Sequence, residues 1–271
     1  MVSQAATIVP ELESDVWTLP VLSPPLRDTS RFQARPKSRR VRRIRPVVEG
    51  SVPRAIRRLV QGREFVAPEG NRSAGYQWAK RALDVAGALA LLSLFGPVMF
   101  VLYMVLWVTT RGRPIYRQIR IGYLGRPFTM YKFRTMRLDA DRTQHTVSNE
   151  QGGPVFKNRR DPRITRLGRW LRKTSLDETP QLLNVLRGEM SLVGPRPPIG
   201  REVVKYEPWQ RRRLSVKPGL TCLWQVSGRN EVEFENWVRM DLWYVLHQTM
   251  WTDLALLFRT PLSVITCRGA Y

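Results

Sequence analysis

At 271 residues the chain can form one sizeable domain or two small ones, and its 45 lysines and arginines outnumber 22 acids, for a net charge of +23. An excess of that size calls for an anionic partner: nucleic acid, anionic lipid or a phosphorylated substrate. Two cysteines, Cys222 and Cys267, and two distant histidines, His145 and His247, argue against a disulfide framework, a zinc site and a histidine-based catalytic centre.

Residues 1–75 read as a basic, mostly disordered extension, with the like-charged run from Pro36 to Pro46 holding little that could be buried. No secretory signal is expected in the first twenty residues, and the sparse cysteines suit a reducing compartment. At Tyr76 the character changes. Val85 to Val108 is a run of 24 residues without one charge, enough to enter a bilayer core. Gly96-Pro97 interrupts its centre, where proline removes a backbone donor and crowds the preceding turn. Lys80 and Arg81 precede the run, and Arg111, Arg113 and Arg117 follow it, so the positive-inside rule puts both ends in the cytoplasm. A helix-break-helix hairpin over residues 82–109 that dips into one leaflet satisfies the length, the break and the flanks. A kinked spanning helix is the plainer alternative.

Between glycines, residues 111–136 alternate apolar and basic positions and predict short strands joined by a turn. Residues 137–160 are polar and predict a loop. From Ile164 helical spacing returns, with Leu167, Trp170 and Leu171 on one face. A second helix is expected from Ser175 to Leu186, stopped by Arg187-Gly188. Gly-Pro-rich turns follow at Gly194–Pro198 and Lys217–Gly219. The last 35 or so residues predict amphipathic helices carrying Phe234, Trp237, Trp243, Tyr244, Trp251 and Phe258.

The sharpest chemical signal is Asp177-Glu178, adjacent carboxylates at the start of a helix in a chain short of acids. Ser175 and Glu178 have the spacing of a capping box, which accounts for those two without any catalysis but leaves Asp177 unexplained. Neighbours on a helix diverge by about 100°, so the pair would divide its labour: one carboxylate attacking or binding phosphorus, the other holding a metal. The helix start would keep Asp177 ionised. Arg163, Arg166, Arg169, Arg172, Arg196 and Arg229 surround the pair in sequence and supply the bidentate donors that a diphosphate needs, although each alone suits a lipid-facing surface equally well. No zinc-finger, helix-turn-helix or RNP pattern supports a nucleic-acid partner.

These features come together in an ordered series of strings. They are K-R-A-L-D at Lys80–Asp84, the Gly96-Pro97 break, R-Q-I-R-I-G at Arg117–Gly122 and Y-K-F-R-T-M at Tyr131–Met136. D-P-R-I-T-R-L-G at Asp161–Gly168, L-R-K-T-S-L-D-E at Leu171–Glu178 and S-L-V-G-P-R-P at Ser191–Pro197 follow. K-P-G-L-T at Lys217–Thr221, W-Q-V-S-G-R-N at Trp224–Asn230 and a terminal R-G-A-Y close the series. In this, residues 76–271 resemble the bacterial sugar transferases that act as monotopic polyprenyl-phosphate phosphoglycosyl transferases.

The resemblance implies an α+β fold: a mixed α/β, membrane-associated catalytic core with an N-terminal re-entrant membrane hairpin and amphipathic interfacial helices. It implies transfer of a sugar-1-phosphate from a UDP-sugar to polyprenyl (undecaprenyl) phosphate at the cytoplasmic face of the inner membrane, releasing UMP and starting exopolysaccharide or another glycoconjugate. Asp177 would be the nucleophile of a covalent intermediate, and Glu178 with Asp177 would hold Mg2+. Lys132, Arg134, Arg172, Arg196 and Arg229 would contact substrate. Membrane lipids complete the expected partners, with nucleic acid excluded; pairing with a second copy as a homodimer is left open by the sequence. The chain departs from the family pattern at Gly96, where many members have serine, and at Cys222-Leu223-Trp224-Gln225, where many have Gly-Trp-Ala-Gln; Cys222 is not expected to be catalytic. The Trp224–Arg229 string favours a hexose such as glucose or galactose. The alternatives are a non-enzymatic scaffold that keeps the fold, and a phosphohydrolase in which water takes the phosphoryl group.

Overall fold

The computed structural model describes residues 70–265 apart from 72, 151–153, 157 and 228–231. The extension expected over residues 1–75 and the terminal R-G-A-Y therefore lie almost wholly outside the described residues, and Arg229 lies outside them entirely. Helix α1 (Ala74–Thr109) leads into an antiparallel hairpin of β1 (Ile115–Ile121) and β2 (Pro127–Phe133), in which Tyr116 pairs with Lys132 and Gln118 with Met130. Helix α2 (Arg166–Lys173), a 3-10 helix (Leu176–Gln181) and α3 (Leu182–Arg187) follow. A parallel pair, β3 (Ser191–Val193) and β4 (Gly219–Thr221), encloses the short helices α4 (Gly200–Val203) and α5 (Pro208–Arg211) in its crossover. Helices α6 (Leu223–Ser227), α7 (Phe234–Leu246) and α8 (Met250–Ile265) complete the order. The mixed, α+β composition matches the sequence reading, as do the hairpin and the C-terminal helices.

Among the described residues α1 is the one helix long and apolar enough to cross a membrane, by length and composition. The break expected at Gly96-Pro97 is not seen, because a single helix runs through Pro97. Proline's fixed φ is itself helical, so the chain loses one amide there without leaving the helix. Both ends of α1 lie against the core. Tyr76, Lys80, Asp84 and Ala88 form a buried stripe at i, i+4 spacing, and Leu102 and Leu106 are buried near the far end beside Phe133 and Leu171. Between them one face is bare, with Leu94 70%, Phe100 62% and Val101 59% exposed, while Leu91, Leu92, Phe95 and Met99 are partly covered.

The foot of α1 is tied by polar bonds that the flank reading did not anticipate. Asp253 of α8, wholly buried, accepts from the Tyr76 hydroxyl (2.8 Å), Lys80 Nζ (3.0 Å) and the Tyr244 hydroxyl (2.6 Å). Lys80 and Tyr244 also donate to the Val193 carbonyl, and Asp84 accepts from Ser191 Oγ and the Leu192 amide, both at 2.8 Å. Arg81 reaches the Val185 and Leu186 carbonyls at 2.7 Å, placing a cation at the C-terminus of α3. Lys80 and Arg81 are thus bound within the protein rather than simply marking a membrane edge.

One apolar cluster joins Ala88 to α3, β3, α7 and α8 through Leu182, Val185, Leu192, Tyr244 and Leu256. A second gathers Trp224, Phe234 and Trp237 around Ile121, Val203 and Tyr206. The aromatic-rich C-terminal helices are divided accordingly: Phe234, Trp237 and Tyr244 are core, whereas Trp251 and Phe258 are exposed. Trp170, expected on the apolar face of α2, is half exposed, while Leu171 and Leu167 turn inward.

Candidate active site

A cavity of about 740 Å3 opens among these elements, lined by nine arginine or lysine side chains and five carboxylates. Its charged walls come from β1 and β2, the 3-10 helix and the turn after β3. The α1 wall is an i, i+4 stripe of Leu83, Gly87, Leu91 and Phe95, and α8 adds Leu257, Pro261 and Val264.

The acid pair sits on the 3-10 helix, and the capping box expected there does not form. Ser175 is in the left-handed region (φ 58°) and its side chain caps nothing. Pro180 is the cause. In an α-helix the Leu176 carbonyl would receive the amide of residue 180, which proline lacks; the Thr179 hydroxyl donates to it instead at 2.8 Å, and the turn tightens. At three residues per turn Asp177 and Glu178 point about 120° apart, so the division of directions expected of the pair is kept. Asp177 is buried and lines the cavity without an ion pair among the described residues. Glu178, half-buried, pairs with Lys132 of β2.

Asn184, fully buried in α3, holds β2 in place for that pair. It donates to the Thr129 carbonyl (2.7 Å) and accepts from the Tyr131 amide (3.2 Å), bracketing Met130 and fixing the strand just before Lys132. The charges around the two carboxylates then act in opposite directions. Burial, together with the neighbouring Glu178, pushes Asp177 up to about 6, against the pull of Lys132 and Arg172. This corrects the expectation that a helix start would hold it low, since desolvation outweighs the dipole. For Glu178 burial acts upward too, but Lys132, Arg196 and Arg120 together hold its carboxyl below the ordinary value.

Arg172 lines the cavity and donates from Nε to Thr135 Oγ1 (3.0 Å). Arg134 lines it as well, anchored to the Arg113 carbonyl (2.8 Å) with its guanidinium over the Tyr116 ring. Arg196 lies in the turn Pro195–Pro198, its guanidinium over the Trp237 ring at 5.9 Å. That turn leaves its carbonyls to outside donors. Pro195 O receives the Gly219 amide (2.9 Å), Arg196 O the Arg213 guanidinium (3.0 Å), Pro197 O the Arg120 guanidinium (2.9 Å) and Pro198 O the Ile121 amide (2.9 Å). Glycine is required at the join, since a Cβ on Gly219 would stand 2.0 Å from the Gly194 nitrogen. All six described candidates, Asp177, Glu178, Lys132, Arg134, Arg172 and Arg196, thus line one cavity.

Several residues of the site escaped the sequence reading. Arg120 and Gln118 share a strand face with Tyr116, and all three line the cavity. The period of two in R-Q-I-R-I, carried across the hairpin, would have put them beside Lys132 and Arg134. Arg213, one of the largest fully buried side chains, is neutralised by Asp241 and has no sequence signal beyond its charge. Gln181, buried one 3-10 turn beyond Glu178, lines a small second cavity with Lys132, Glu178 and Arg196. Cys222 is buried and its thiol is pushed well up by that burial, consistent with an inert side chain.

Two adjacent carboxylates thus stand in a basic, part-apolar cavity beside an exposed apolar helix. The chain belongs to the bacterial sugar transferase family, whose model matches residues 75–267. Among curated relatives, the UDP-galactose-lipid carrier transferase of Erwinia amylovora is 43% identical over 203 residues, covering 72% of this chain and 42% of that protein. The undecaprenyl-phosphate galactose phosphotransferase of Salmonella typhimurium is 42% identical over 202 residues, covering 72% and 42%. The exopolysaccharide production protein ExoY of Rhizobium meliloti is 40% identical over 199 residues, covering 71% of this chain and 88% of its own length. The chain spans less than half the length of the first two relatives.

Proposed function

We propose that this protein transfers a sugar-1-phosphate from a UDP-sugar to polyprenyl phosphate at the cytoplasmic face of the inner membrane, releasing UMP and initiating an exopolysaccharide or related glycoconjugate. The observation that carries this reading is Asp177: a buried carboxylate facing a cavity that combines arginines with an apolar wall. Arginines suit the phosphates of both substrates, and the apolar wall suits a polyprenyl chain.

In the first step an Asp177 carboxylate oxygen attacks the phosphorus that bears the sugar. The new P–O bond forms as the bond to the UMP oxygen breaks, and UMP departs with the electron pair. In the second step an oxygen of the polyprenyl phosphate attacks the same phosphorus. The aspartyl P–O bond breaks, Asp177 returns as a carboxylate, and polyprenyl-diphosphate-sugar is formed. With a pKa of about 6, Asp177 is mostly ionised at neutral pH yet more basic than an ordinary aspartate, which favours attack. Arg172 and Arg196 hold phosphate oxygens and resist the charge that builds at phosphorus.

Asp177 and Glu178 offer the hard oxygen donors that suit Mg2+, which takes one or two carboxylates and completes its shell with water and substrate phosphates. Bound there, the ion would supply charge neutralisation at the diphosphate. Lys132 would then have to release Glu178. The membrane mode follows from α1. Its two ends pack on separate apolar clusters, its exposed middle carries Gly96-Pro97, and Arg111, Arg113 and Arg117 follow it, which supports a re-entrant segment entered from the cytoplasmic side; a hairpin would require the helix, continuous here, to bend at Pro97.

The test is purified protein with undecaprenyl phosphate, Mg2+ and a panel of UDP-sugars, scored for UMP release and for label in the organic phase. UMP release with lipid-linked product supports transfer. Free sugar phosphate with no lipid product would show a hydrolase, and absence of both would leave a scaffold. UDP-galactose heads the panel, because galactose is in the names of two relatives.

A further inference from the structure

Three arginines in the described chain are buried, and two of them are neutralised by an aspartate. Arg163 meets Asp161 at 2.6 Å, and Arg213 meets Asp241. Arg120 has no such partner. It is 9% exposed, makes no ion pair among the described residues, and donates only Nη1, to the Pro197 carbonyl at 2.9 Å. Its Nε has no hydrogen-bond partner, although the side chain lines the main cavity. The carboxylates that act on it are engaged elsewhere: Glu202 accepts from the Ile199 amide (3.1 Å) and Glu178 pairs with Lys132.

A buried guanidinium without a counter-charge is costly, on the order of several kcal/mol, and an unsatisfied Nε adds to that. Burial and the nearby Arg196 pull the Arg120 pKa down to about 10, so the cation persists at neutral pH, offset only in part by Glu202 and Glu178 at a distance. Proteins keep such charges where a ligand supplies the missing partner. The positive field around Arg120 calls for an anion, and a flat guanidinium calls for one with paired oxygens.

We propose that Arg120 is a phosphate contact of this cavity, its guanidinium donating to an oxyanion of a bound phosphoryl group beside Arg196. The assignment rests on the cavity being a phosphoryl-transfer site. The phosphate could be the donor's or the acceptor lipid's, and the two are separable by experiment. The full-length protein in detergent is titrated calorimetrically with UMP, with farnesyl phosphate and with inorganic pyrophosphate, as wild type, Arg120→Met and Arg120→Lys.

Loss of one charge-assisted contact should weaken binding by about tenfold or more in Arg120→Met. Weakening confined to UMP assigns the donor, and weakening confined to farnesyl phosphate assigns the acceptor. Arg120→Lys keeps the charge but loses the fork, so a loss of about threefold or more is expected there. Wild-type affinity for all three ligands in either variant overturns the proposal, and the lysine variant decides it should the methionine variant not fold. Arg120 also braces the Arg196 turn, so Arg120→Met is repeated in an Arg196→Ala background. A further loss of about fivefold or more marks direct contact, whereas no further loss would make Arg120 a brace only and sink the assignment. If the wild type binds pyrophosphate through Arg120 yet transfers no sugar phosphate, the reading of function fails and the anion site stands. Active Arg120→Met with unchanged affinities gives the reverse result.

Discussion

The foot of α1 and the acid pair of the cavity are built from the same materials, carboxylates and basic groups withdrawn from water, yet they are finished differently. At the foot, Asp253 accepts three hydrogen bonds and Lys80 has a second acceptor in the Val193 carbonyl. In the cavity, Glu178 has Lys132, and Asp177 has no ion pair among the described residues. A saturated network has nothing left to offer a ligand and serves to hold α1 on β3 and α8. An unsaturated one is unstable by itself and becomes satisfied only when substrate arrives. The degree of bonding, more than burial or charge, separates the residues that hold from the residues that act.

The sharpest break between the two regions is expected from Asp177→Asn. Turnover should fall by about a thousandfold or more, and exchange of labelled UMP into UDP-sugar without lipid should vanish with it. Stability should hold or rise, because the raised pKa means that folding disfavours the ionised carboxylate removed by the substitution. Thermal unfolding in detergent and the exchange assay check the two halves. Persistent exchange would move the nucleophile elsewhere and favour a single displacement. Asp253→Ala should do the opposite. Leaving Lys80 buried without its partner costs about 3–5 kcal/mol, read as a lower unfolding temperature, and a wild-type melting curve would dissolve the contrast.

Arg196→Lys retains charge in the stiff turn but loses bidentate geometry, and kcat/KM for the UDP-sugar should drop by about tenfold. Unchanged kinetics would count against a paired contact. The smallest effect concerns pH. The attacking form of Asp177 is lost as pH falls through about 6, so activity should decline on that acid limb. Lys132 pulls the Asp177 pKa down, and Lys132→Met should therefore move the limb to higher pH. A limb that stays in place would mean that Lys132 does not act on Asp177.

Much of this was legible because it depends on composition over a stretch. A 24-residue run without charge announces α1, and alternating residues between glycines announce the hairpin. Asp177-Glu178 stood out because acids are scarce. What eluded the sequence was set by partners distant along the chain. The Ser175–Glu178 spacing fits a capping box until Pro180 tightens the turn and Lys132, from another element, takes the carboxylate. Lys80 and Arg81 look like membrane-edge cations, and only the packing of α8 and α3 turns them into internal ties. Arg120 and Arg213 carry the same charge on paper; Asp241 and the Tyr206 hydroxyl, both distant in sequence from Arg120, separate them.

The turn from Pro195 to Pro198 has a consequence for how this protein can be observed. Three of its four residues have no amide hydrogen, and its carbonyls are engaged by β1, β4 and two arginines. Prolines also narrow the range of conformations open to that stretch in the unfolded chain. The guanidinium of Arg196 is thus carried on a backbone with little freedom left to surrender, so donor capture should show a small ordering entropy in calorimetry. Amide-exchange and nitrogen-relaxation methods would find a single N–H there, that of Arg196, as their witness to the event.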